Sequence, residues 1–464
     1  MIIEHIKTAC LWVLILSSVT LTYSLWTYQP EYSTLGSAEP IETPEIGEER
    51  NASDILMPKS ITVHDGTDRL WMEPGGDRYS SQMSSLRDIS FGRPIAESRQ
   101  NIPSMYKHEH ALDFRFSTPI PARMMEQLFD FDLGEEESFP LENIDRIHLS
   151  ANGDSDFDSE VVARFISYSE GEVRKAETGL SESGFRALYE SESDALYAAE
   201  GEVFGNMRDG EYAYLPIEPP NMEEYTTHLN NSIRSEDYKQ LLFSDPSTVL
   251  EYSTNVSNTS YQDGNRFLTF SRQGSGPDIM KFEYPVSGDP DESSRSMASA
   301  SLNFLNSHGG FTDDFYLDDV TEYVNRDRAV YRLAMDETPV LGGSSRESLY
   351  YTKLVERSGE QITRYDRSLY RLDENYQEAG TMTSLESLDY VRNFIASAET
   401  IVDEDAGEIR IGYHMDSNTG ALIIFSPSWF INVNGQWFTL EQLEDTEEEY
   451  QESGGDPEDG LEQS

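Results

Sequence analysis

A long uncharged segment near the N-terminus limits where the rest of the chain can lie. No Asp, Glu, Lys or Arg occurs between Thr8 and Pro30. A helix of about 20 mostly apolar residues spans the hydrocarbon core of a bilayer. Trp26 and Tyr28 stand at the far end of the segment, where aromatic side chains anchor helices at the membrane interface. We therefore predict a transmembrane helix over residues 8–28.

The charges that flank this helix predict its orientation. Lys7 precedes it and the residues that follow are acidic, which places residues 1–7 in the cytoplasm and most of the chain outside the cell membrane. A cleaved signal peptide is the alternative, and its best small-residue cleavage site is Ser37–Ala38. That site lies well beyond the aromatic end of the segment, so an uncleaved, single-pass anchor is the favoured interpretation.

Three hydroxyl residues give the predicted helix a candidate contact face. Ser17, Thr20 and Ser24 are spaced to share one side of a helix. Small hydroxyl side chains allow another helix to approach closely and can hydrogen-bond across the contact. The three residues are therefore candidate contacts for a partner helix. The alternative is that each hydroxyl bonds only to its own backbone.

Composition indicates a folded and extremely acidic exterior. The 464 residues include 34 Lys and Arg against 86 Asp and Glu, a formal net charge of −52. Such a surface repels phosphate backbones, which argues against nucleic-acid binding. The acids are spread along the whole chain, which favours adaptation to a salty or alkaline exterior over a dedicated cation-binding surface. Cys10 is the only cysteine, so the chain downstream has no disulfide or thiolate metal site.

Changes in composition and hydrophobic periodicity along the chain predict its domains. A Glu-rich linker follows the helix, and the C-terminal residues are acidic and aperiodic. Between them, strands and helices mix without regular strand–helix–strand alternation, which predicts α+β domains with largely antiparallel sheets. The predicted divisions are a linker over 29–54, an N-terminal extracytoplasmic domain over 55–205, a central domain over 206–290, a C-terminal α+β domain over 291–440 and a disordered tail over 441–464.

Periodicity predicts several individual elements. Residues 111–116 alternate apolar and charged side chains like a half-buried strand that stops at Pro119, and Pro121 opens a helix that runs to Phe129. Asn434–Gly435, between two apolar runs, predicts a tight hairpin. Further helices are predicted over 181–199, over 222–243 and before the glycines of 308–310.

The sequence lacks the motifs of common enzymes, including G-x-S-x-G, H-E-x-x-H, the P-loop and the dinucleotide fingerprint. His108 and His110 could ligate a metal from one side of a strand, but no third ligand is identifiable. Asp154–Asp158 has the acidic spacing of a calcium loop without its glycine or final glutamate, so a solvated turn is favoured. We therefore predict no catalytic residue, no cofactor and no metal site.

Short motifs follow one another from the membrane exit to the C-terminal hairpin. They are Leu25–Tyr32, Leu242–Ser247, Tyr261–Gly264, Asn306–Gly310, Arg364–Arg367, Ile411–Met415, Ser426–Phe430 and Asn434–Trp437. Each is weakly specific alone, but together and in this order they resemble the YycH family, membrane-anchored regulators of the WalK–WalR two-component system. The extreme acidity and the acidic tail depart from that family, which puts the electrostatics of any partner surface in doubt.

The resemblance implies an extracytoplasmic α+β assembly without enzymatic activity. It also implies partnership with a sister single-pass protein, YycI, and association with the sensor histidine kinase WalK, which governs cell-wall metabolism. We therefore expect a non-enzymatic, membrane-anchored regulator of a WalK-like kinase. The alternatives are an extracytoplasmic module that senses a ligand or cation, and a membrane-tethered wall hydrolase that uses unrecognised carboxylates.

Overall fold

The computed structural model describes residues 44–452, apart from short internal segments, and scattered helical residues between His5 and Ser18. The internal segments that fall outside the described residues are 109, 135–136, 152–159, 189–195, 205–206, 208–210, 231–232, 256–257, 273–275, 287–292, 294, 324, 344–346, 374–376, 402–405 and 418–421. Residues 1–44 and 45–464 form separate compact units, and the second is the body described below.

The body combines short helices with many strands. Its α-helices are α1 (Ala52–Ile55), α2 (Gly76–Arg87), α3 (Ile102–Met105), α4 (Ala122–Leu128), α5 (Glu182–Ala187), α6 (Ser235–Leu242), α7 (Met297–Ser307), α8 (Leu388–Ser397) and α9 (Leu440–Glu452), with 3-10 turns at Arg99–Asn101 and Glu347–Tyr350. Its strands are β1 (Pro58–Asp65), β2 (Asp68–Met72), β3 (Ser90–Phe91), β4 (Ile95–Glu97), β5 (His110–Pro121), β6 (Asp130–Phe131), β7 (Asn143–Ser150), β8 (Val162–Ser167), β9 (Glu172–Glu177), β10 (Leu196–Glu202), β11 (Ala213–Pro216), β12 (Met222–Asn230), β13 (Leu250–Asn255), β14 (Asn258–Asp263), β15 (Arg266–Ser271), β16 (Ile279–Glu283), β17 (Phe315–Glu322), β18 (Asp327–Met335), β19 (Thr338–Leu341), β20 (Thr352–Ser358), β21 (Gln361–Ser368), β22 (Arg371–Leu372), β23 (Gln377–Thr383), β24 (Ala406–Asp416), β25 (Leu422–Val433) and β26 (Gln436–Thr439).

The first sheet has nine strands in the order β11-β10-β2-β1-β5-β7-β8-β9-β4, all antiparallel to their neighbours. In β5, the apolar residues Leu112, Phe114 and Phe116 are buried on one face. Asp113 and Arg115, on the other face, are only 2% and 6% exposed. The prediction of a half-buried strand was therefore wrong, because both faces of β5 are covered by protein.

The second sheet has fifteen strands. Its main path is β13-β14-β15-β16-β21-β20-β18-β19-β24-β25-β12-β22, with β17, β23 and β26 attached to β18, β12 and β25. The link between β19 and β24 is parallel and pairs Val340 with Tyr413, whereas the other pairs within this sheet are antiparallel across the described residues. The α+β class with largely antiparallel sheets is thereby confirmed.

The sheets do not follow the predicted borders of the stretch 206–290. Strand β11 belongs to the first sheet, whereas β12 pairs with β25 and β16 pairs with β21 in the second. One hydrophobic cluster extends through both sheets, from Ile46 to Leu443. Residues far apart in sequence therefore share one core, and the stretch 206–290 supplies strands to both sheets.

Several local predictions are confirmed. Asn434 and Gly435 join β25 to β26 with φ of 52° and 83°, the left-handed conformation that a tight hairpin requires. Helix α4 begins directly after Pro121, as predicted. Helix α7 ends at Ser307, and the following glycines include Gly309 at φ 98°.

Other element predictions were wrong. Residues 222–230 form strand β12, not a helix, because Tyr225, Thr226 and Thr227 pair with β25 and favour a pleated conformation. Within the helix predicted over 181–199, the structure describes helix α5 and, from Leu196, strand β10, so the end of the prediction was wrong; residues 189–195 lie outside the described residues. Strand β5 continues through Pro119 because its pairing with β7 shifts register between Arg115 and Ile120, where the missing proline N–H is tolerated.

The acidic C-terminal residues 441–452 form most of helix α9, which corrects the predicted disordered tail. Leu440 and Leu443 are buried, and Glu447 shares their face of the helix. The Glu447 carboxylate accepts hydrogen bonds from the backbone N–H groups of Glu399 and Thr400, each at 3.0 Å. Residues 453–464 lie outside the described residues.

Candidate functional site

The predicted membrane-contact residues are only partly within the structure. Ser17 lies in a described helical position with its side chain exposed, whereas Thr20, Ser24, Trp26 and Tyr28 lie outside the described residues. Among the residues that are described, no helix is both long and apolar enough to cross a membrane. The anchor over residues 8–28 and its contact face therefore stay predictions.

The segment that leads away from the predicted anchor is bound to the end of α7, the residues that follow it, and β22 of the second sheet. We call this contact the linker dock: residues 45–51 against residues 306–312 and Arg371. Glu48 and Phe311 form a two-way backbone bridge in which each N–H donates to the other's carbonyl at 2.9 Å. Ile46 is 6% exposed and joins the main hydrophobic cluster. The predicted linker thus has a fixed end.

Glycines make the linker dock possible. A Cβ atom at Gly310 would lie 2.4 Å from the carbonyl oxygen of Glu48, and one at Gly47 would lie 2.4 Å from that of Phe311. Gly310 also has φ of 60°, a left-handed conformation that other residues adopt only at a cost. The glycines of the Asn306–Gly310 motif therefore allow two backbones to meet directly.

Side chains from two of the family-like motifs complete the dock. Asn306 accepts from the Arg50 N–H at 3.0 Å through Oδ1 and donates to the Arg50 carbonyl at 2.8 Å through Nδ2. Arg371 donates to the carbonyl of Ile46. Below the glycines, the buried guanidinium of Arg367 donates to the Gly310 carbonyl at 3.3 Å and to the Tyr238 hydroxyl. These residues hold the backbone that the linker contacts.

A second contact, between the two sheets, is made of charges. We call it the charged junction: Lys59 and Arg115 from the first sheet, Glu211 before β11, and Glu408 and Arg410 from β24. The Glu408 carboxylate is 2.7 Å from both Lys59 Nζ and Arg115 Nη1, and 3.1 Å from Arg410 Nη2. Arg115 Nη2 also lies 2.8 Å from Glu211 Oε1.

Burial controls protonation within the charged junction. The side chains of Lys59, Arg115 and Glu408 are each 9% exposed or less. Burial, reinforced by Arg115 and Arg410, lowers the pKa of Lys59 to about 7. Burial alone would raise the pKa of Glu408, but Arg410, Lys59 and Arg115 hold it well below its usual value. Glu408 is therefore an anion shared by three basic side chains, Lys59, Arg115 and Arg410.

Of the two histidines considered as metal ligands, only His108 belongs to a buried cluster of histidines, with His64 and His148. His108 Nδ1 lies 3.1 Å from His148 Nε2, and the His108 carbonyl lies 3.2 Å from His64 Nδ1. His110 turns away, with its Nε2 2.6 Å from Arg186 Nη2. Burial, together with the neighbouring His148, lowers the pKa of His64 and His108 to about 3, so both rings are neutral at ordinary pH.

Metal-ion chemistry finds no further support in the part of the chain that the structure describes. No group of three or more His, Cys, Asp or Glu residues there could hold a metal ion. The acidic run at 154–158 lies entirely outside the described residues, as does Glu109 between the two histidines.

The sequence contained little indication of either the linker dock or the charged junction. The glycines and Asn306 of the linker dock lie in motifs that the sequence singled out, but their meeting with residues 45–51 was not predicted. The charged junction was missed because Arg115 follows an alternating pattern typical of a solvent-facing strand residue. Only the pairing of distant strands brings Arg115 to Glu408.

Comparisons with known proteins cover most of the described body. The family model described as YycH protein, N-terminal domain, matches residues 4–193, and the one described as YycH protein, C-terminal domain, matches residues 211–447. A curated relative, the two-component system WalR/WalK regulatory protein YycH of Bacillus subtilis (strain 168), is 22% identical over 450 residues, which cover 93% of this chain and 95% of the relative.

A solved structure is similar as well. The crystal structure of YycH from Bacillus subtilis matches with a TM-score of 0.65 at 18% sequence identity, covering 85% of this chain and 98% of that chain. At this level of identity the structural match shows a shared fold. The resemblance indicated by the ordered sequence motifs is confirmed.

Proposed function

We propose that this chain, which belongs to the YycH family, is a non-enzymatic regulator of a WalK-like sensor histidine kinase. The observation that carries the proposal is similarity over nearly the full length to a relative described as a WalR/WalK regulatory protein. In this proposal, residues 8–28 anchor the protein in the cell membrane, the body lies outside, and a YycI-like single-pass protein is a further partner.

A regulator of this kind must contact two states of the kinase with different free energies. The predicted face of Ser17, Thr20 and Ser24 supplies one candidate contact within the membrane. The linker dock supports a role for that helix, because residues 45–51 are fixed to the segment that follows α7 by backbone hydrogen bonds. In this proposal, a force carried along the chain from the helix would reach the body at the linker dock.

The test is in-cell crosslinking of the full-length protein, followed by identification of the captured membrane proteins. We expect a sensor histidine kinase and a second single-pass protein, and we expect both to be lost when residues 8–28 are replaced by an unrelated membrane helix. Capture of neither protein by the unmodified chain would contradict the proposal.

The contact face needs a separate test with a matched control. Replacement of Ser17, Thr20 and Ser24 by Leu should weaken kinase capture, because bulky side chains prevent close approach of a second helix. Val19→Leu with Thr22→Leu changes the opposite side of an ideal helix and should leave capture intact. Equal capture by both variants would remove this face from the proposal while leaving the regulator itself standing.

A further inference from the structure

A cleft of 820 Å³ opens between segments that belong to the two sheets. One wall comes from residues 121–126 and 138–143, at α4 and before β7. The other comes from Ser293, residues 295–296, 322–323 and 325–327, Arg357 and Gly359. Its volume falls within the range of small-molecule sites, which often lie where two parts of a protein meet. The cleft is separate from both the linker dock and the charged junction.

Arginine side chains distinguish this cleft from the rest of an acidic surface. Arg123, Arg295, Arg326 and Arg357 all line it, in a chain with only 34 Lys and Arg against 86 acids. The guanidinium groups of Arg123 and Arg295 form no hydrogen bond or ion pair within the described part of the protein, and both residues are exposed. The guanidinium groups of these two arginines, on facing walls of the cleft, are therefore available to an anion from outside the protein.

Three of the four acids that line the cleft are engaged by protein groups, whereas the fourth, Glu142, is exposed. Asp327 pairs with Arg357 at 2.8 Å. The Glu322 carboxylate accepts from the N–H of Met297 at 3.3 Å, at the start of α7. The Glu126 carboxylate accepts from the backbone N–H of Phe139. These three carboxylates bind protein groups other than Arg123 and Arg295, and among the described residues no ion pair joins Glu142 to either arginine.

An exposed aromatic ring completes the site. Tyr323 lines the cleft with 63% of its surface exposed, although its backbone N–H donates to the Arg326 carbonyl at 3.1 Å. A tyrosine left this open presents a flat face on which a sugar or other ring can pack.

We propose that the cleft binds a small anionic ring compound. A carboxylate or phosphate group lies between Arg123 and Arg295, whose planar guanidinium groups match both anions, and the ring packs on Tyr323. The proposal concerns ligand binding alone and stands independently of kinase regulation.

The test is calorimetric titration of the full-length protein with glucuronate, glucose 6-phosphate and uncharged glucose. We expect at least one anionic sugar to bind saturably, with a Kd below about 10 mM, and glucose not to bind. The reason is that the charge supplies much of the binding free energy. The two anionic probes separate a carboxylate ligand from a phosphate ligand. Failure of both to bind would overturn the proposal.

Variants locate the site. Arg123→Gln and Arg295→Gln should each weaken binding by about tenfold, and Tyr323→Ala should weaken it less. Arg328→Gln is the matched control, because Arg328 is exposed and outside the cleft. Binding that is unchanged in the Arg123→Gln, Arg295→Gln double variant, or equally weakened in the control, would also overturn the proposal. Circular dichroism of each variant confirms that it is folded.

Discussion

The charged junction and the linker dock both join residues that are far apart in sequence, but they do so by different physical means. In the charged junction, Glu408 holds two cations of the other sheet through its side-chain oxygens. In the linker dock, Glu48 and Phe311 meet through their backbones, and glycines provide the space. The stability of the charged junction therefore depends on charge and pH, whereas the stability of the linker dock depends on the absence of a Cβ atom at its glycines.

The largest expected effect comes from removing the central anion of the charged junction. Glu408→Gln leaves Lys59, Arg115 and Arg410 buried without their shared carboxylate. We expect the free energy of unfolding to fall by about 3–5 kcal/mol, measured by urea denaturation. The exposed Glu251→Gln should change it by less than about 0.5 kcal/mol. A similar small loss in Glu408→Gln would show that the junction does not depend on its charges.

A smaller effect is expected when the linker dock is broken. Gly310→Ala should destabilise the dock by about 2 kcal/mol, because it adds a Cβ atom against the Glu48 carbonyl at a positive φ. Hydrogen exchange at the amides of Glu48 and Phe311 should rise accordingly. Gly264→Ala is the matched control, since Gly264 has the same φ of 60° but no atom within 4 Å of the added Cβ. Equal effects of the two changes would contradict a tightly packed dock.

The third prediction concerns pH and should separate the two contacts. Lys59 has a folded pKa of about 7, so between pH 7 and its unfolded value the unfolded chain binds more protons than the folded one. The free energy of unfolding should therefore rise with pH in this window, by at most about 1.4 kcal/mol per pH unit. Lys59→Met should remove that slope, while the exposed Lys107→Met should keep it. The rate of hydrogen exchange at the Glu48 amide, corrected for its intrinsic pH dependence, should not change with pH in this window.

Local chemistry in the sequence predicted features that depend on a few neighbouring residues. The hairpin at Asn434–Gly435 and the end of α7 before Gly309 follow from backbone conformations that these residues adopt at little cost. The family resemblance followed from motifs that keep their order along the chain. The helical prediction over 222–230 failed because β12 is determined by its partner β25, which lies about 200 residues away.

The sequence by itself determined the α+β class with antiparallel sheets, the tight turns and the acidic character of the protein. Only the tertiary structure decided that Arg115 and Asp113 are buried, that residues 45–51 bind beside Gly310, and that Arg123 and Arg295 share a cleft. The physical reason is that periodicity reports which side of an element is apolar, but not what covers its polar side. Covering that side takes the pairing and packing of distant strands, and a pattern within a single segment carries no record of it.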